Sequence, residues 1–217
     1  MKIAIFETKP WEKKFFNKTL KGHDLKFIKE PISLDNCQSA GGAEAISVFI
    51  ASKVNSEIIS KLPNLKMIAT RSTGFDHIDL KACQSKNIMV CNVPFYGENT
   101  VAEHAFALIL TLSRNIHKSY LRTTRGDYTI EGLKGFDLRG KTLGVIGAGH
   151  IGLHLIKMGR GFDMKVLAFD TNRHDFQADV LGFKYVGLPE LLKNSDIISL
   201  HVPDNPATHH LINKDNI

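Results

Sequence analysis

Short apolar runs recur along the first hundred residues and alternate with segments of helical periodicity. Each run has about the length of a strand and is bounded by polar or turn-forming residues. The predicted strands are Lys2–Phe6, Ile46–Ala51, Leu65–Thr70 and Ile88–Asn92, and the predicted helices are Asn55–Leu62 and Ile78–Ser85. Near-continuous apolar strands separated by helices indicate a parallel sheet that is covered on both faces.

A longer apolar segment follows at Thr100–His117, and its pattern predicts one helix. Thr100 is the expected N-cap, because Glu103 stands three residues later as in a capping box. Apolar positions occur almost all round this helix, which predicts burial on several sides. Two explanations stay open: packing in one domain core, or a helix that joins two domains and meets a partner subunit. The polar, glycine-containing segment Lys118–Gly140 is predicted to be a surface connection.

The alternation of strands and helices resumes after residue 140. The predicted strands are Leu143–Ile146, Met164–Phe169, Phe183–Val186 and Ile197–Val202, with a helix at Pro189–Asn194. The whole pattern predicts an α/β protein with two Rossmann-like, doubly wound parallel-sheet domains. We assign residues 1–100 to the first domain and 101–217 to the second, with 101–117 as a linking helix. The second domain is expected to be incomplete, because Asn213–Ile217 resembles the first turn of a helix without a C-cap.

A glycine loop joins the first strand of the second half to the next helix, and it has the sequence Gly147-Ala148-Gly149-His150-Ile151-Gly152. Gly147 permits a tight turn, Gly149 lets the main chain approach a pyrophosphate, and Gly152 lets the helix lie close to the strand. The helix N-terminus presents N–H groups to phosphates. Asp170 ends the second strand eighteen residues after Gly152, close to the ~20 expected for an acid that binds the ribose hydroxyls.

These features favour a dinucleotide cofactor, and the Asp170 carboxylate favours NAD because it repels the 2′-phosphate of NADP. Arg173, three residues later, could weaken that preference. Two alternatives compete on the motif alone: an ordinary strand–turn–helix unit that binds nothing, and a methyltransferase that binds an adenosyl cofactor. The order of strand, glycine loop, helix, strand and acid favours the dinucleotide.

Charge and composition exclude several classes of partner. The net charge is +6, but the lysines are scattered, and no basic segment is interleaved with aromatic residues as nucleic-acid binding requires. No apolar run approaches the ~20 residues of a membrane span. The N-terminus does not resemble a signal peptide. Three cysteines without CxxC spacing predict reduced thiols, and therefore a cytoplasmic protein.

Four segments resemble the D-isomer-specific 2-hydroxyacid dehydrogenase family, in particular its D-lactate dehydrogenase branch. They are TRSTGFDHIDL, NVPFYGENTVAEHAFALIL, FDLRGKTLGVIGAGHIG and DIISLHVPDNPATHHLIN. The resemblance covers the chain from about residue 65 to its end. It implies a flavodoxin-like substrate domain followed by an NAD-binding domain, with the active site between them. The implied reaction interconverts a small 2-keto acid such as pyruvate and its D-2-hydroxy acid, in a full-length homodimer.

The resemblance also implies which residues hold the ligands. The implied cofactor-binding residues are Gly147, Gly149, His150, Ile151, Gly152, Asp170, Val202, Pro203 and Thr208. Among them, His150 and Ile151 offer main-chain N–H groups to the pyrophosphate, and Val202, Pro203 and Thr208 line the adenine and ribose side. The implied substrate-binding residues are Ser72, Thr73, Gly74 and Tyr96. The turn formed by the first three would bind the substrate carboxylate through its main-chain N–H groups, as anion-binding turns do.

No catalytic residue is predicted in this chain. The Arg, Glu and His of the family would lie beyond Ile217, so the chain is expected to be C-terminally truncated and inactive by itself. The alternative is a non-catalytic, truncated NAD-binding protein. His77 and His104 are interpreted as structural histidines. His150 and His154 have a spacing that suits a metal, but no third ligand accompanies them, and no metal site is predicted.

Overall fold

The computed structural model describes residues 1–216. The chain divides into two compact units, Met1–Tyr96 and Gly97–Ile217, which we call the first unit and the second unit. The functional assignment of residues 1–100 and 101–217 as substrate and NAD-binding domains stays a prediction. Within the described residues, no helix is long and apolar enough to cross a membrane.

The first unit is built around a five-stranded sheet with the order β2-β1-β3-β4-β5. Every strand pairing in it is parallel, as predicted. Its core includes the fully buried side chains of Ile46 and Ile68, on adjacent strands. The elements are β1 Lys2–Ile5, α1 Pro10–Thr19, β2 Asp24–Phe27, β3 Ala45–Val48, α2 Ser56–Ser60, β4 Met67–Thr70, α3 Leu80–Ser85 and β5 Met89–Cys91.

The sequence pattern missed helix α1 and strand β2 of the first unit. Helix α1 buries none of its residues, and its aromatic side chains Trp11 and Phe15 are exposed. Strand β2 pairs with β1 alone, and its residues alternate between exposed and half-buried positions. The strand predicted at Ile46–Ala51 ends at Val48, because the next N–H, that of Phe49, donates to the Glu7 carboxylate at 2.8 Å instead of to a neighbouring strand.

The second unit contains a four-stranded parallel sheet with the order β8-β7-β6-β9. Helix α4 packs on α6. The helices are α4 Glu98–Ser113, α5 Ile116–Thr123, α6 His150–Gly161, α7 Asp175–Leu181 and α8 Leu188–Asn194. The strands are β6 Thr142–Ile146, β7 Lys165–Phe169, β8 Lys184–Tyr185 and β9 Ile197–Leu200. Part of the predicted terminal helix turn, at Ile217, lies outside the described residues.

The prediction for the long helix was wrong at both ends. Gly97, not Thr100, is the N-cap of α4, and the Glu103 carboxylate accepts from the Asn99 side chain at 3.3 Å instead of closing a capping box. Asn115 has a left-handed φ of 52°, which separates α4 from α5. The segment predicted as a surface connection therefore begins with most of a helix.

Burial of α4 is also more one-sided than predicted. Ala102, Phe106 and Ile109 face the core, whereas Leu108 and Leu112 are exposed. An apolar composition around the whole helix does not by itself show which positions the chain covers.

Each sheet reverses its strand order at one point. In the first unit, β1 is followed by β2 on one side and β3 on the other; in the second unit, β6 has β7 on one side and β9 on the other. Ligands of open parallel sheets bind at the carboxyl ends of the strands at such reversals. The glycine loop lies at the reversal of the second unit, and Tyr96 lines a cleft at that of the first, whereas Ser72, Thr73 and Gly74 follow the neighbouring strand β4.

Candidate cofactor and substrate sites

Three glycines of the loop after β6 have separate physical roles. Gly147 has a left-handed φ of 92°, and a Cβ there would lie 2.5 Å from the His201 carbonyl oxygen. A Cβ at Gly152 would lie 2.0 Å from the Gly147 carbonyl oxygen. These two glycines therefore allow the loop, β9 and α6 to approach closely. A Cβ at Gly149 would meet nothing within 4 Å, so the space beside this residue is open to a ligand.

The open space lies at the N-terminus of helix α6. Gly149 is the N-cap, and no side chain caps the helix there. The first N–H groups of a helix have no acceptor within the helix. Together with the helix dipole they favour an anion such as a phosphate group. His150 and Ile151 are the first two residues of this helix.

Asp170 follows β7 and is bonded to the glycine loop. Its Oδ2 accepts from the Ala148 N–H at 2.7 Å, and its Oδ1 accepts from the Asn172 N–H at 2.8 Å. Two hydrogen bonds leave this carboxylate with acceptor capacity for sugar hydroxyls.

Arg173 is held away from the Asp170 carboxylate. Its guanidinium lies 5.9 Å from the centre of the Tyr185 ring, and Nη2 donates to the Val186 carbonyl oxygen at 3.4 Å. Within residues 1–216 no ion pair joins Arg173 to Asp170. The arginine thus contacts the β8 region, and the Asp170 carboxylate has no ion-pair partner within residues 1–216.

The segment after β9 contributes the remaining predicted cofactor residues. Val202 Cγ1 lies 2.9 Å from the position of a Cβ built on Gly147, so Val202 and the loop meet at the reversal of strand order. The Thr208 hydroxyl donates to the Pro203 carbonyl oxygen and accepts from the Asn205 N–H at 3.0 Å. Pro203 and Thr208 therefore close a local turn.

Sequence reasoning gave no role to His201, which precedes Val202. Its Nε2 lies 2.9 Å from the Ser199 Oγ. Burial lowers the pKa of His201 below its ordinary value, because an apolar environment disfavours the charged imidazolium. A histidine directly after an apolar predicted strand was the available signal for this effect.

The turn that contains Ser72, Thr73 and Gly74 lies in the first unit, directly after the end of β4. Ser72 is buried, and its hydroxyl donates to the Gly74 carbonyl oxygen at 2.7 Å. The Thr70 hydroxyl lies 2.6 Å from that of Ser72 and 3.1 Å from His77 Nε2. Ser72 donates its one proton to Gly74, so Thr70 donates to Ser72 and His77 Nε2 donates to Thr70. His77 thus takes part in the hydrogen bonds that connect the end of β4 with the turn.

The main-chain N–H groups of Thr73 and Gly74 have no protein acceptor within the described part of the chain. Both residues are exposed. Adjacent N–H groups that point to solvent from one turn form an anion-binding concavity. The geometry therefore suits a carboxylate.

Tyr96 lines a cleft of about 340 Å³ in the same unit. The cleft lies at the reversal between β1 and β3, and Glu7 and Phe49 from the ends of those strands also line it. Glu7 has a left-handed φ of 53°, which is uncommon for a residue with a side chain. Its carboxylate accepts from the N–H groups of Phe49 and Ala51 at 2.8 and 3.1 Å, which stabilise this conformation.

Sequence reasoning also missed an ion pair at the cleft, between Arg71 and Glu12. Both residues line the cleft, and Arg71 Nε lies 3.2 Å from Glu12 Oε1. The two are 59 positions apart in the sequence, so no local pattern could have paired them.

The loop of the second unit fits a dinucleotide on three observations: open space at Gly149, an uncapped helix N-terminus, and the Asp170 carboxylate fixed to the loop. The family model for the D-isomer specific 2-hydroxyacid dehydrogenase NAD binding domain matches residues 106–217. NAD is therefore the cofactor of this unit.

Comparison with known proteins extends the similarity to the whole chain. The chain is 38% identical to the D-lactate dehydrogenase of Escherichia coli over 99% of its own length and 66% of that protein. It is 37% identical to a 2-hydroxyacid dehydrogenase homologue of Zymomonas mobilis, over 100% of this chain and 67% of that protein. The chain thus spans about two thirds of the length of these relatives.

A solved structure shows the same similarity in three dimensions. The D-lactate dehydrogenase of Aquifex aeolicus, crystallised with NAD and lactic acid, superimposes with a TM-score of 0.93 at 39% identity. The alignment covers 99% of this chain and 64% of that one. A family model that matches half of the chain, and relatives above 30% identity along its full length, lead to one conclusion. The chain belongs to the D-isomer-specific 2-hydroxyacid dehydrogenase family.

Proposed function

We propose that this chain is part of an NAD-dependent oxidoreductase that interconverts a small, pyruvate-like 2-keto acid and its D-2-hydroxy acid. The single observation on which this rests is the Asp170 carboxylate hydrogen-bonded to the Ala148 N–H in the glycine loop. It sets a ribose acceptor beside an uncapped helix N-terminus in a unit that belongs to an NAD-binding family.

The cofactor-binding roles follow from the position of each group. Main-chain N–H groups at the start of α6 receive the pyrophosphate, with His150 and Ile151 as the first helical residues. Asp170 accepts from the ribose hydroxyls. Val202, Pro203 and Thr208 border the adenine and ribose side. When bound, NAD supplies the group that accepts or gives the hydride.

The first unit is proposed to bind the substrate. The Thr73 and Gly74 N–H groups receive the carboxylate, and the Ser72 hydroxyl keeps the turn in shape through its bond to the Gly74 carbonyl oxygen. Tyr96 borders the nearby cleft. Titratable groups for the proton step are not assigned to residues 1–216. For the 217-residue chain by itself we therefore propose cofactor binding without turnover.

The test uses both this chain and the product of the complete reading frame that contains it. Oxidation of NADH is followed at neutral pH with pyruvate and a panel of small 2-keto acids, and the reverse reaction with D- and L-2-hydroxy acids. We expect turnover by the full product with D-acids and NAD. Failure of every 2-keto acid to oxidise NADH, with a folded full-length protein, would refute the proposal.

We further propose that the full-length protein is a homodimer. Val101, Leu108 and Leu112 are exposed apolar side chains of α4, at 48%, 52% and 68%. Their spacing of seven and four residues puts them on one face of the helix. A contiguous exposed apolar stripe on a helix favours contact with a second copy.

A cytoplasmic location is proposed from the cysteines. Cys37, Cys83 and Cys91 are free thiols, which persist in reducing compartments. Fractionation of cells with an antibody against the chain would test this, and recovery from the medium or envelope would contradict it.

A further inference from the structure

Arg71 is the last residue before the Ser72–Thr73–Gly74 turn. Its N–H donates to the Val48 carbonyl oxygen at 2.9 Å, so its main chain extends the pairing of β3 and β4. Only 19% of its side chain is exposed. A mostly buried guanidinium must be paired and hydrogen-bonded to be tolerated, and its partners show which segments it joins.

The Arg71 guanidinium contacts the carboxyl ends of two other strands and helix α1. Nη1 donates to the Ser47 hydroxyl of β3 at 2.9 Å. Nη2 donates to the carbonyl oxygens of Phe6 and Glu7, just after β1, at 2.9 and 3.2 Å. Nε lies 3.2 Å from the Glu12 carboxylate of α1. The Arg71 side chain therefore joins β1, β3 and α1 to the end of β4, directly before the turn.

Glu12 is itself fixed in place. Its side chain is 12% exposed, and its second oxygen accepts from the Lys9 N–H at 2.7 Å at the N-terminus of α1. The charge partner of Arg71 is thus held by a helix N-terminus, where a carboxylate is stabilised. Lysine could not reproduce these contacts, because it lacks the planar fork of N–H groups.

The other side of the turn is held by the end of β5. The Val93 N–H donates to the Ser72 carbonyl oxygen at 3.0 Å, and the Asn92 side chain donates to that of Thr73 at 2.8 Å. The Thr73 hydroxyl donates to the Val93 carbonyl oxygen at 3.0 Å. The turn is therefore held downstream by β5 and upstream by Arg71, while its Thr73 and Gly74 N–H groups have no protein acceptor within residues 1–216.

We propose that Arg71 is a positioning residue for carboxylate recognition. By fixing the main chain where the turn leaves β4, its guanidinium holds the Thr73 and Gly74 N–H groups in the arrangement that accepts a small carboxylate. This inference rests on the proposed function, since it takes the turn as the substrate-carboxylate site. Arg71 acts through the main chain, because both of its Nη atoms donate to protein oxygens and its Nε lies 3.2 Å from the Glu12 carboxylate.

The test measures carboxylate binding at the turn without any turnover. The ¹⁵N-labelled 217-residue chain is titrated with pyruvate while the amide resonances of Thr73 and Gly74 are followed by two-dimensional NMR. Pyruvamide, which lacks the carboxylate, is the comparison ligand. The variant is Arg71→Lys. Its matched control is Arg114→Lys, which alters an ion pair with Asp137 in the second unit.

We expect pyruvate, and not pyruvamide, to shift both amide resonances of the wild-type chain. Arg71→Lys should raise the Kd for pyruvate at least about tenfold, and Arg114→Lys should leave it unchanged. The inference is overturned if Arg71→Lys binds pyruvate as the wild type does, if pyruvamide shifts the resonances equally, or if pyruvate shifts neither.

If Arg71→Lys does not fold, a milder variant tests the role of Arg71. Ser47→Ala removes the Nη1 contact alone and should weaken pyruvate binding about threefold; an unchanged Kd would overturn the inference. The NADH assay is independent of this titration. Pyruvate binding at Thr73 and Gly74 together with a full-length protein that oxidises no NADH would refute the proposed function and leave the role of Arg71 intact.

Discussion

The Oδ2 atom of Asp170 accepts a hydrogen bond of 2.7 Å from the main-chain N–H of Ala148. This bond joins the acid after β7 to the glycine loop after β6. The carboxylate therefore fixes the loop, and it is also the group that we propose to bind the ribose of the cofactor.

Replacement of Asp170 by Asn should weaken NADH binding by about tenfold or more, because hydrogen bonds to a charged group contribute about 1.5–3 kcal/mol. The preference for NADH over NADPH should also shrink, because the carboxylate that repels a 2′-phosphate is gone. Fluorescence titration with both nucleotides measures the two effects. Asp179→Asn, an exposed carboxylate on α7, is the control, and equal losses in the two variants would contradict the prediction.

Substitution of Gly152 by Ala should destabilise the second unit by about 2–3 kcal/mol or more, the size of an overpacked core position. The reason is that the new Cβ would lie 2.0 Å from the Gly147 carbonyl oxygen. Urea denaturation measures the loss. Gly161→Ala lies in the same helix with nothing within 4 Å, and should stabilise by about 0.5–1 kcal/mol.

Gly149→Ala separates binding from stability at the same loop. Its Cβ would enter open space, so the free energy of unfolding should fall by no more than about 1 kcal/mol, as for an altered N-cap. NADH affinity should fall far more than stability, because the methyl group occupies the place of the pyrophosphate. Full NADH affinity in Gly149→Ala would show that the cofactor does not approach this residue.

Acid should destabilise the second unit through His201. Burial lowers the pKa of this histidine in the folded chain below its ordinary value of 6.5. The unfolded chain therefore binds more protons as the pH falls through that value and below, and stability decreases. Urea denaturation at pH 7.5 and pH 5.5 should show a smaller decrease for His201→Gln than for the wild type. His154→Gln, exposed on α6, should keep the wild-type dependence.

An aspartate at Leu112 should prevent the proposed dimer. Leu112 is 68% exposed on α4, so the change costs the folded chain little but puts a charge in an apolar contact. Light scattering of the full-length protein after size exclusion should give about twice its chain mass for the wild type and the single mass for Leu112→Asp. Val180→Asp, at 67% exposure on α7, should remain dimeric. A monomeric full-length wild type would contradict the proposal.

The sequence by itself determined the parallel α/β architecture, the glycine loop and the position of Asp170. These depend on local information. An apolar run followed by Gly147, Gly149 and Gly152 specifies a strand, a tight turn and a close helix within a few residues, and the carboxylate follows at a fixed spacing. The same local character explains why the strand cores were predicted well and their ends less well, because ends depend on competing side chains such as that of Glu7.

Only the tertiary structure decided which distant groups meet. The contact of Arg71 with Glu12, Ser47 and the end of β1 joins segments far apart in the sequence, and no periodicity predicts it. The exposure of Leu108 and Leu112 likewise depends on what covers α4, not on their own apolar character. Local sequence fixes the dihedral angles and the apolar pattern, whereas long-range packing determines which polar groups are paired and which N–H groups stay open to a ligand.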